Sequence, residues 1–98
     1  MIVVWTGEAL DKLSGIEKFI GTDSPGRAEN FVSYLIERGE SIAQNPHIGR
    51  MVPEISNPSI RDLIVKHYRI VYRVRKNTVE ILTVFEGHRL LRIEELDY

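Results

Sequence analysis

Two stretches in the first half of the chain carry apolar residues at the spacing of amphipathic helices. In the first stretch they are Ala9, Leu10, Leu13, Ile16, Phe19 and Ile20, and in the second Ala28, Phe31, Val32, Leu35, Ile36, Ile42 and Ala43. Spacings of one, three and four residues place such side chains along one side of a helix. The pattern therefore predicts two helices, each packing an apolar stripe against a core.

The ends of both predicted helices carry recognisable signals. Thr6 and Ser24 are N-cap residues, and Pro25 stands at a first helical position where its missing N–H costs nothing. Gly21 ends the first helix, and Asn45 ends the second because it precedes a proline. Since only a few residues separate the two helices, we expect them to form an antiparallel hairpin.

The remaining apolar residues follow the patterns of strands. Residues 1–5 form a short run that predicts a buried strand, and residues 78–85 form the most hydrophobic run, which predicts a central strand. Between residues 60 and 75 the period changes to two, whereas residues 46–60 contain three prolines and predict a long loop. The order indicates an α+β fold, with an N-terminal strand, a helical hairpin and a three-stranded antiparallel meander (β-α-α-β-β-β).

Alternation in residues 69–75 separates cationic from apolar side chains. The even positions are Ile70, Tyr72 and Val74, and the odd positions include Arg69, Arg73 and Arg75. Because successive strand side chains point to opposite faces, we expect the even set to face the helices and the three guanidinium groups to share an open face. For Arg69, an inter-strand ion pair with Asp62 or Glu80 is an equally simple interpretation. For Arg73 and Arg75 the simplest interpretation is a solvated charge.

Length and composition narrow the classes of function. A chain of 98 residues has room for one hydrophobic core, so residues 1–98 are predicted to form a single domain. No run approaches the roughly 20 apolar residues of a membrane span. The chain has no cysteine, which suits a reducing compartment, and we expect a cytoplasmic protein with no membrane partner. The three histidines lack metal-ligand spacing and there is no glycine-rich nucleotide loop, so neither a metal nor a cofactor is expected.

Charge is divided unevenly along the chain, although the formal net charge is only −1. Residues 1–60 hold five basic and eight acidic residues, residues 61–92 hold eight basic and three acidic, and residues 93–98 add three acidic. A basic segment inside a nearly neutral protein suits a polyanion or an acidic partner. A solvated sheet face without a partner has the same composition, so charge alone does not decide between the two.

The candidate chemistry of the chain is therefore cationic. Arginine presents a planar fork of donors that matches phosphate or carboxylate. Metal-free cleavage of RNA needs cations that stabilise the phosphorane and groups that exchange protons. Arg69 and Arg89 suit the first role, and His88 or His67 suits the second because imidazole titrates near neutral pH.

Two strings in the second half of the chain are distinctive. They are IRDLIVKHYRIVYRV from residue 60 and VEILTVFEGHRLL from residue 79. They resemble the hairpin and the last strand, with its following histidine–arginine element, of the RelE/ParE superfamily of toxins. These toxins belong to type II toxin–antitoxin (plasmid stabilisation) systems. The element order and the string GRMVPE at residues 49–54 extend the resemblance over nearly the whole chain.

The resemblance implies a small toxin that a cognate antitoxin neutralises by forming a hetero-oligomer with it. RelE-like members cut messenger RNA on the ribosome, and the matching catalytic residues here would be Arg69, Arg89 and His88. ParE-like members bind DNA gyrase and have no hydrolytic chemistry of their own. The remaining cations of the region are implied to bind the target or the antitoxin, and they are Arg61, Lys66, Arg73 and Arg75.

One departure from the RelE pattern favours the ParE-like function. RelE carries a tyrosine one turn beyond the last-strand arginine, whereas this chain has Glu94 and Glu95 there. The catalytic set is therefore incomplete, and we expect a toxin that arrests growth by binding DNA gyrase. A RelE-like ribosome-dependent mRNA endoribonuclease is the first alternative, and a non-toxic interaction module is the second. The site hypothesis requires Arg69 and Arg89 to gather on an open surface.

Overall fold

A computed structural model describes residues 1–87, in which a helical hairpin lies on one face of a five-stranded sheet. The elements are β1 (Ile2–Trp5), α1 (Gly7–Gly21), α2 (Pro25–Glu40), β2 (Arg50–Met51), β3 (Ile60–Val65), β4 (Tyr68–Val74) and β5 (Thr78–Glu86). The strand order is β1-β5-β4-β3-β2; β1 is parallel to β5, and the other neighbours are antiparallel. The predicted α+β fold is confirmed. The histidine–arginine element of the sequence, His88 and Arg89, lies outside the described residues.

The predicted helix caps are present. The Thr6 hydroxyl accepts a hydrogen bond from the Ala9 N–H at 3.2 Å and also lies 2.9 Å from two carbonyl oxygens of β5, which ties the start of α1 to the sheet. The Ser24 hydroxyl accepts from the Arg27 N–H at 3.3 Å, with Pro25 in the first turn. Helix α2 ends at Glu40, earlier than predicted, and a separate 3₁₀ helix follows it over residues 41–44.

The prediction that the N-terminal strand is buried is wrong. Strand β1 lies at the sheet edge and pairs with β5, and Ile2 and Val4 are 69% and 44% exposed. Val3 and Trp5 pack against the core from the helix side. A short apolar run does not reveal how many neighbours a strand has. The residues of the predicted loop 46–60 also include a strand that the sequence did not predict, because β2 is only two residues long. It pairs with β3 at the opposite edge of the sheet.

The end of α2 is shaped to receive the edge strand. The Trp5 indole N–H donates to a Glu40 carboxylate oxygen at 2.6 Å. Gly39 lies close to the edge of the ring, and a Cβ added there would stand 2.5 Å from a Trp5 ring carbon. The absence of a Cβ at position 39 therefore permits the close contact between helix and strand.

The two faces of the sheet are both apolar. On the helix side, the expected orientation of Ile70, Tyr72 and Val74 toward the helices is confirmed. On the opposite side lies a second cluster of buried residues, namely Val52, Ile55, Ile60, Val71, Leu82 and Phe85. The second face of the sheet is therefore not an open cationic surface at its centre, because residues from the long loop cover it.

Candidate functional site

Arg69, the centre of the predicted cationic site, is buried among carboxylates. Its side chain is 3% exposed. Its Nε lies 2.6 Å from Asp62 Oδ2, while Nη1 and Nη2 lie 2.8 and 3.1 Å from the two carboxylate oxygens of Glu54. Its guanidinium carbon also lies 5.1 Å from the centre of the Phe85 ring. The expected placement of Arg69 on an open face is wrong, and the alternative, an inter-strand pair with Asp62, is the arrangement found.

The surroundings of Arg69 keep it charged although it is buried. Burial opposes the charge, but the hydrogen bonds that Arg69 donates to Glu54 and Asp62 more than offset this effect and place the pKa of Arg69 above its ordinary value. Asp62 is 1% exposed and also receives the Nε of Arg50 at 2.8 Å. A buried charge is tolerated only when its hydrogen bonds are satisfied. These four residues therefore form one interdependent network.

Arg73 and Arg75 share a different carboxylate. In the register of β4 and β5, Arg73 faces Glu80, and their nearest charged atoms are 2.8 Å apart. The Arg75 Nε lies 2.8 Å from the same oxygen. The hydrogen bond from Arg75 is the largest of the effects that lower the pKa of Glu80. The Arg75 side chain is 55% exposed and the Arg73 side chain 18%, so this trio presents a modest net positive charge to solvent.

The other predicted cations have separate local contacts. Arg61 donates to the carbonyl oxygen of Gly49 at 2.9 Å. Lys66 occupies the tight turn between β3 and β4 with a φ of 58°, and its ammonium lies 5.9 Å from the centre of the Tyr34 ring. The structure thus divides these cations among different neighbours. Both His88 and Arg89 lie outside the described residues, so the expected gathering of Arg89 with Arg69 stays a prediction.

An apolar groove beside the hairpin was not predicted. It has a volume of about 410 Å³. We call it the hairpin groove, and its lining comprises Phe19, Ile20, Asp23, Arg27, Phe31, Lys66, His67 and Tyr68. Phe19 is 75% exposed, and the Phe31 and Tyr68 rings lie 5.4 Å apart between centres. Burial, more than the nearby Glu86, raises the pKa of Tyr68, so its phenol stays neutral at physiological pH.

One residue of this groove, Phe19, is recognisable in the sequence as an apolar residue of α1. Phe19 belongs to the apolar stripe of that helix, but its helical spacing predicts that the stripe faces the core. It lies near the free end of the hairpin, where the helix extends past the cluster that buries Ala9, Leu13 and Ile16. Position on a stripe predicts the direction of a side chain, not the presence of a neighbour to cover it.

The described residues add two findings about other classes of site. Among residues 1–87 there is no group of three or more histidine, aspartate or glutamate side chains that could hold a metal ion. Within the same range, no helix has both the length and the apolar character needed to cross a membrane.

Comparison with known proteins agrees with the fold and with the motifs. Residues 3–91 match the family described as ParE toxin of type II toxin–antitoxin system, parDE. Toxin RelE2 of Caulobacter vibrioides is 34% identical over 89 residues, which are 90% of this chain and 97% of that protein. A solved structure titled chromosomal ParDE TA system from P. aeruginosa has a TM-score of 0.74 at 22% identity, covering 88% of this chain and 95% of that one. The chain belongs to the ParE toxin family of type II toxin–antitoxin systems, within the RelE/ParE superfamily.

Proposed function

We propose that this toxin is ParE-like and arrests growth by binding DNA gyrase, without hydrolytic chemistry of its own. The burial of Arg69 is the observation that carries the proposal. A cation that stabilises a phosphorane must reach the phosphate. The Arg69 guanidinium instead contacts Asp62 and Glu54, and its side chain is 3% exposed. The residue that matches a catalytic arginine of RelE thus serves the fold, and a binding toxin needs no such group.

A RelE-like ribosome-dependent mRNA endoribonuclease is the second candidate. Its support is the 34% identity to a protein named Toxin RelE2, together with the His88–Arg89 element of the sequence. In that case His88 and Arg89 would carry the chemistry with Arg69 as an indirect, positioning residue. A non-toxic interaction module is the third candidate and predicts no growth arrest.

The gyrase proposal predicts a direct effect on supercoiling. Purified toxin, added to gyrase, ATP and relaxed plasmid at concentrations near that of the enzyme, is expected to reduce supercoiling by more than half. Primer extension on messages translated in the presence of the toxin should show no new ends. Toxin mixed with its antitoxin serves as the control and should leave supercoiling intact. Unchanged supercoiling together with new message ends would instead establish the ribonuclease function.

The proposed partner of the toxin is a cognate antitoxin, and the hairpin groove is its proposed docking site. The rings of Phe19, Phe31 and Tyr68 line the groove, and two cations, Arg27 and Lys66, outnumber the single acid, Asp23, among its lining residues. This combination is complementary to a segment that alternates apolar and acidic residues. We therefore propose that such an antitoxin segment folds into the groove as it binds.

Phe19→Ala should separate antitoxin binding from folding. Because Phe19 is 75% exposed, its loss should leave the fold intact. We expect it to weaken binding of the antitoxin encoded beside the toxin about tenfold or more, as for an aromatic anchor at an interface. Leu10→Ala is the matched control, since Leu10 is 53% exposed on the same helix but does not line the groove. Equal affinities for both variants, measured by titration calorimetry, would place the antitoxin elsewhere.

A further inference from the structure

The long loop between the helices and β3 has the features of a segment that unfolds locally, apart from the rest of the fold. We propose that residues 46–59, hereafter the strap, detach from the sheet as one unit while the helical hairpin and strands β3–β5 stay folded. Two anchors on β4, Tyr72 and Arg69, hold the strap closed. The proposal is independent of the toxin's target, because it concerns the energetics of this segment alone.

The apolar contact of the strap with the sheet is small. Within the strap, all of which is described, Val52 and Ile55 are the buried apolar side chains, 2% and 6% exposed. They pack on the second cluster, which includes Val71, Leu82 and Phe85 of the sheet. The main core, formed by the helices and the other sheet face, contains no strap residue, although the strap covers the hydroxyl of one of its members, Tyr72. Opening the strap therefore removes no apolar side chain from the main core, which is the condition for local rather than global unfolding.

The first anchor is the hydroxyl group of Tyr72. This side chain is fully buried, and its oxygen donates to the carbonyl of Pro46 at 2.8 Å and accepts from the N–H of Gly49 at 2.9 Å. Burial is the largest effect on the phenol and raises the pKa of Tyr72, so the hydroxyl keeps the proton that it donates. Arg61 adds a bond to the carbonyl oxygen of Gly49. The first residues of the strap are thereby tied to two neighbouring strands.

The second anchor is the crossed pairing of charges around Arg69. The strap contributes one acid, Glu54, and one base, Arg50, whereas the sheet contributes the opposite partners, Arg69 and Asp62. Glu54 binds Arg69 through both of its oxygens, at 2.8 and 3.1 Å. Charge-assisted bonds of this two-pronged kind are strong and directional. They connect the middle of the strap to the sheet at one place.

Backbone hydrogen bonds contribute little to the attachment of the strap to the sheet. Strand β2 is two residues long and pairs with Arg61 and Asp62 of β3. At the far end of the strap, the carbonyl of Ser59 accepts from the Val74 N–H at 2.8 Å. Several other bonds of the segment are internal, such as that from the Ile55 N–H to the Val52 carbonyl at 3.1 Å. The two side-chain anchors, rather than a strand ladder, therefore set the free energy of opening.

Opening the strap would change the character of the surface. Val52 and Ile55 would leave their contact with Val71, Leu82 and Phe85, which lie beside the charged side chain of Arg69. An apolar patch rimmed by charge is the kind of surface that binds other chains or aggregates. The two anchors thus hold Val52 and Ile55 against this apolar part of the sheet in the folded toxin.

Hydrogen exchange on the full-length chain tests this proposal. In the unmodified protein, amides of residues 50–59 should exchange faster than those of β4 and β5. Glu54→Gln removes the charge but preserves the size of the side chain, and it should speed exchange in residues 50–59 about tenfold or more. Tyr72→Phe removes only the hydroxyl and should speed exchange in residues 46–50. Neither variant should change exchange in α1, α2 or β5.

Glu37→Gln is the matched control, because Glu37 is an exposed carboxylate on α2. It should leave exchange in the strap unchanged. Two results would overturn the proposal: exchange of the strap at the same rate as β4 and β5 in the unmodified protein, or an equal acceleration of all elements by Glu54→Gln. Either result would mean that the strap opens only when the whole chain unfolds. The measurement does not depend on gyrase or on toxicity, so its outcome is separable from that of the proposed function.

Discussion

Arg69→Ala is expected to lower the free energy of unfolding by about 3–5 kcal/mol, the usual cost of removing one partner of a buried ion pair. The cause is the Asp62 carboxylate, which is 1% exposed and would lose its bond of 2.6 Å to Arg69. Glu54 would lose both of its bonds to the same guanidinium. Asp62 keeps its hydrogen bond from Arg50, so we expect a loss of free energy in the lower part of this range. Urea unfolding followed by circular dichroism measures the change.

Arg75→Ala is the matched control for this prediction. Its side chain is 55% exposed, and exposed ion pairs contribute roughly 0–1 kcal/mol. We therefore expect its unfolding midpoint to stay close to that of the unmodified protein. If Arg69→Ala kept the stability of the unmodified protein and lost toxicity, Arg69 would have a direct functional role and the structural assignment would be wrong.

The position of Arg69 changes how toxicity experiments should be read. Loss of toxicity in an Arg69 variant does not identify a functional contact, because the variant is expected to be poorly folded. Side chains that reach solvent are better probes of the target surface. Lys66 and Arg75 are both exposed, and Lys66 also lines the hairpin groove. Substitutions at these two positions test binding while leaving the buried network intact.

The helical hairpin could be predicted in detail because its information is local. The apolar stripes, the hydroxyl groups of Thr6 and Ser24, and Pro25 each act within one or two turns of helix. The structure contains both caps, with hydrogen bonds from Ala9 and Arg27. The alternation in β4 was equally informative about direction, since its even residues do face the helices.

The burial of Arg69 could not be predicted from alternation. The alternation of residues along a strand predicts which side chains share a sheet face, but not whether another segment covers that face. Here the cover is the strap, whose prolines and lack of periodicity indicated only a loop. A partial signal was available, since Asp62 was recognised as a candidate partner of Arg69. The contribution of Glu54 depends on how the strap folds back, and no local pattern encodes that return.

The exposure of β1 and of Phe19 escaped prediction for a related reason. Apolar residues are expected to be buried, but burial depends on the number of neighbouring elements. Strand β1 has one neighbour in the sheet, and Phe19 lies in a groove that is open to solvent. In a toxin that must associate with an antitoxin, an uncovered aromatic side chain is more informative about function than one in the core.

Gly49→Ala is expected to destabilise the protein by about 3 kcal/mol or more, which combines overpacking with the loss of a buried hydrogen bond. A Cβ at this position would stand 2.6 Å from the backbone oxygen of Asp62 and 2.7 Å from the Tyr72 hydroxyl oxygen. The backbone oxygen cannot yield as a flexible side chain can, so the strap must move. That movement would break the bond of 2.9 Å between the Gly49 N–H and Tyr72.

Gly15→Ala is a control with the opposite expected sign. A Cβ at Gly15 meets nothing within 4 Å, and the residue lies inside α1. Alanine is favoured over glycine in a helix by about 1 kcal/mol, so this variant should be more stable than the unmodified protein. The same substitution thus has opposite effects at two glycines, because one is surrounded by open space and the other touches the sheet. Thermal unfolding of both variants measures the difference, and equal midpoints would show that the strap does not approach β3 and β4 as closely as described.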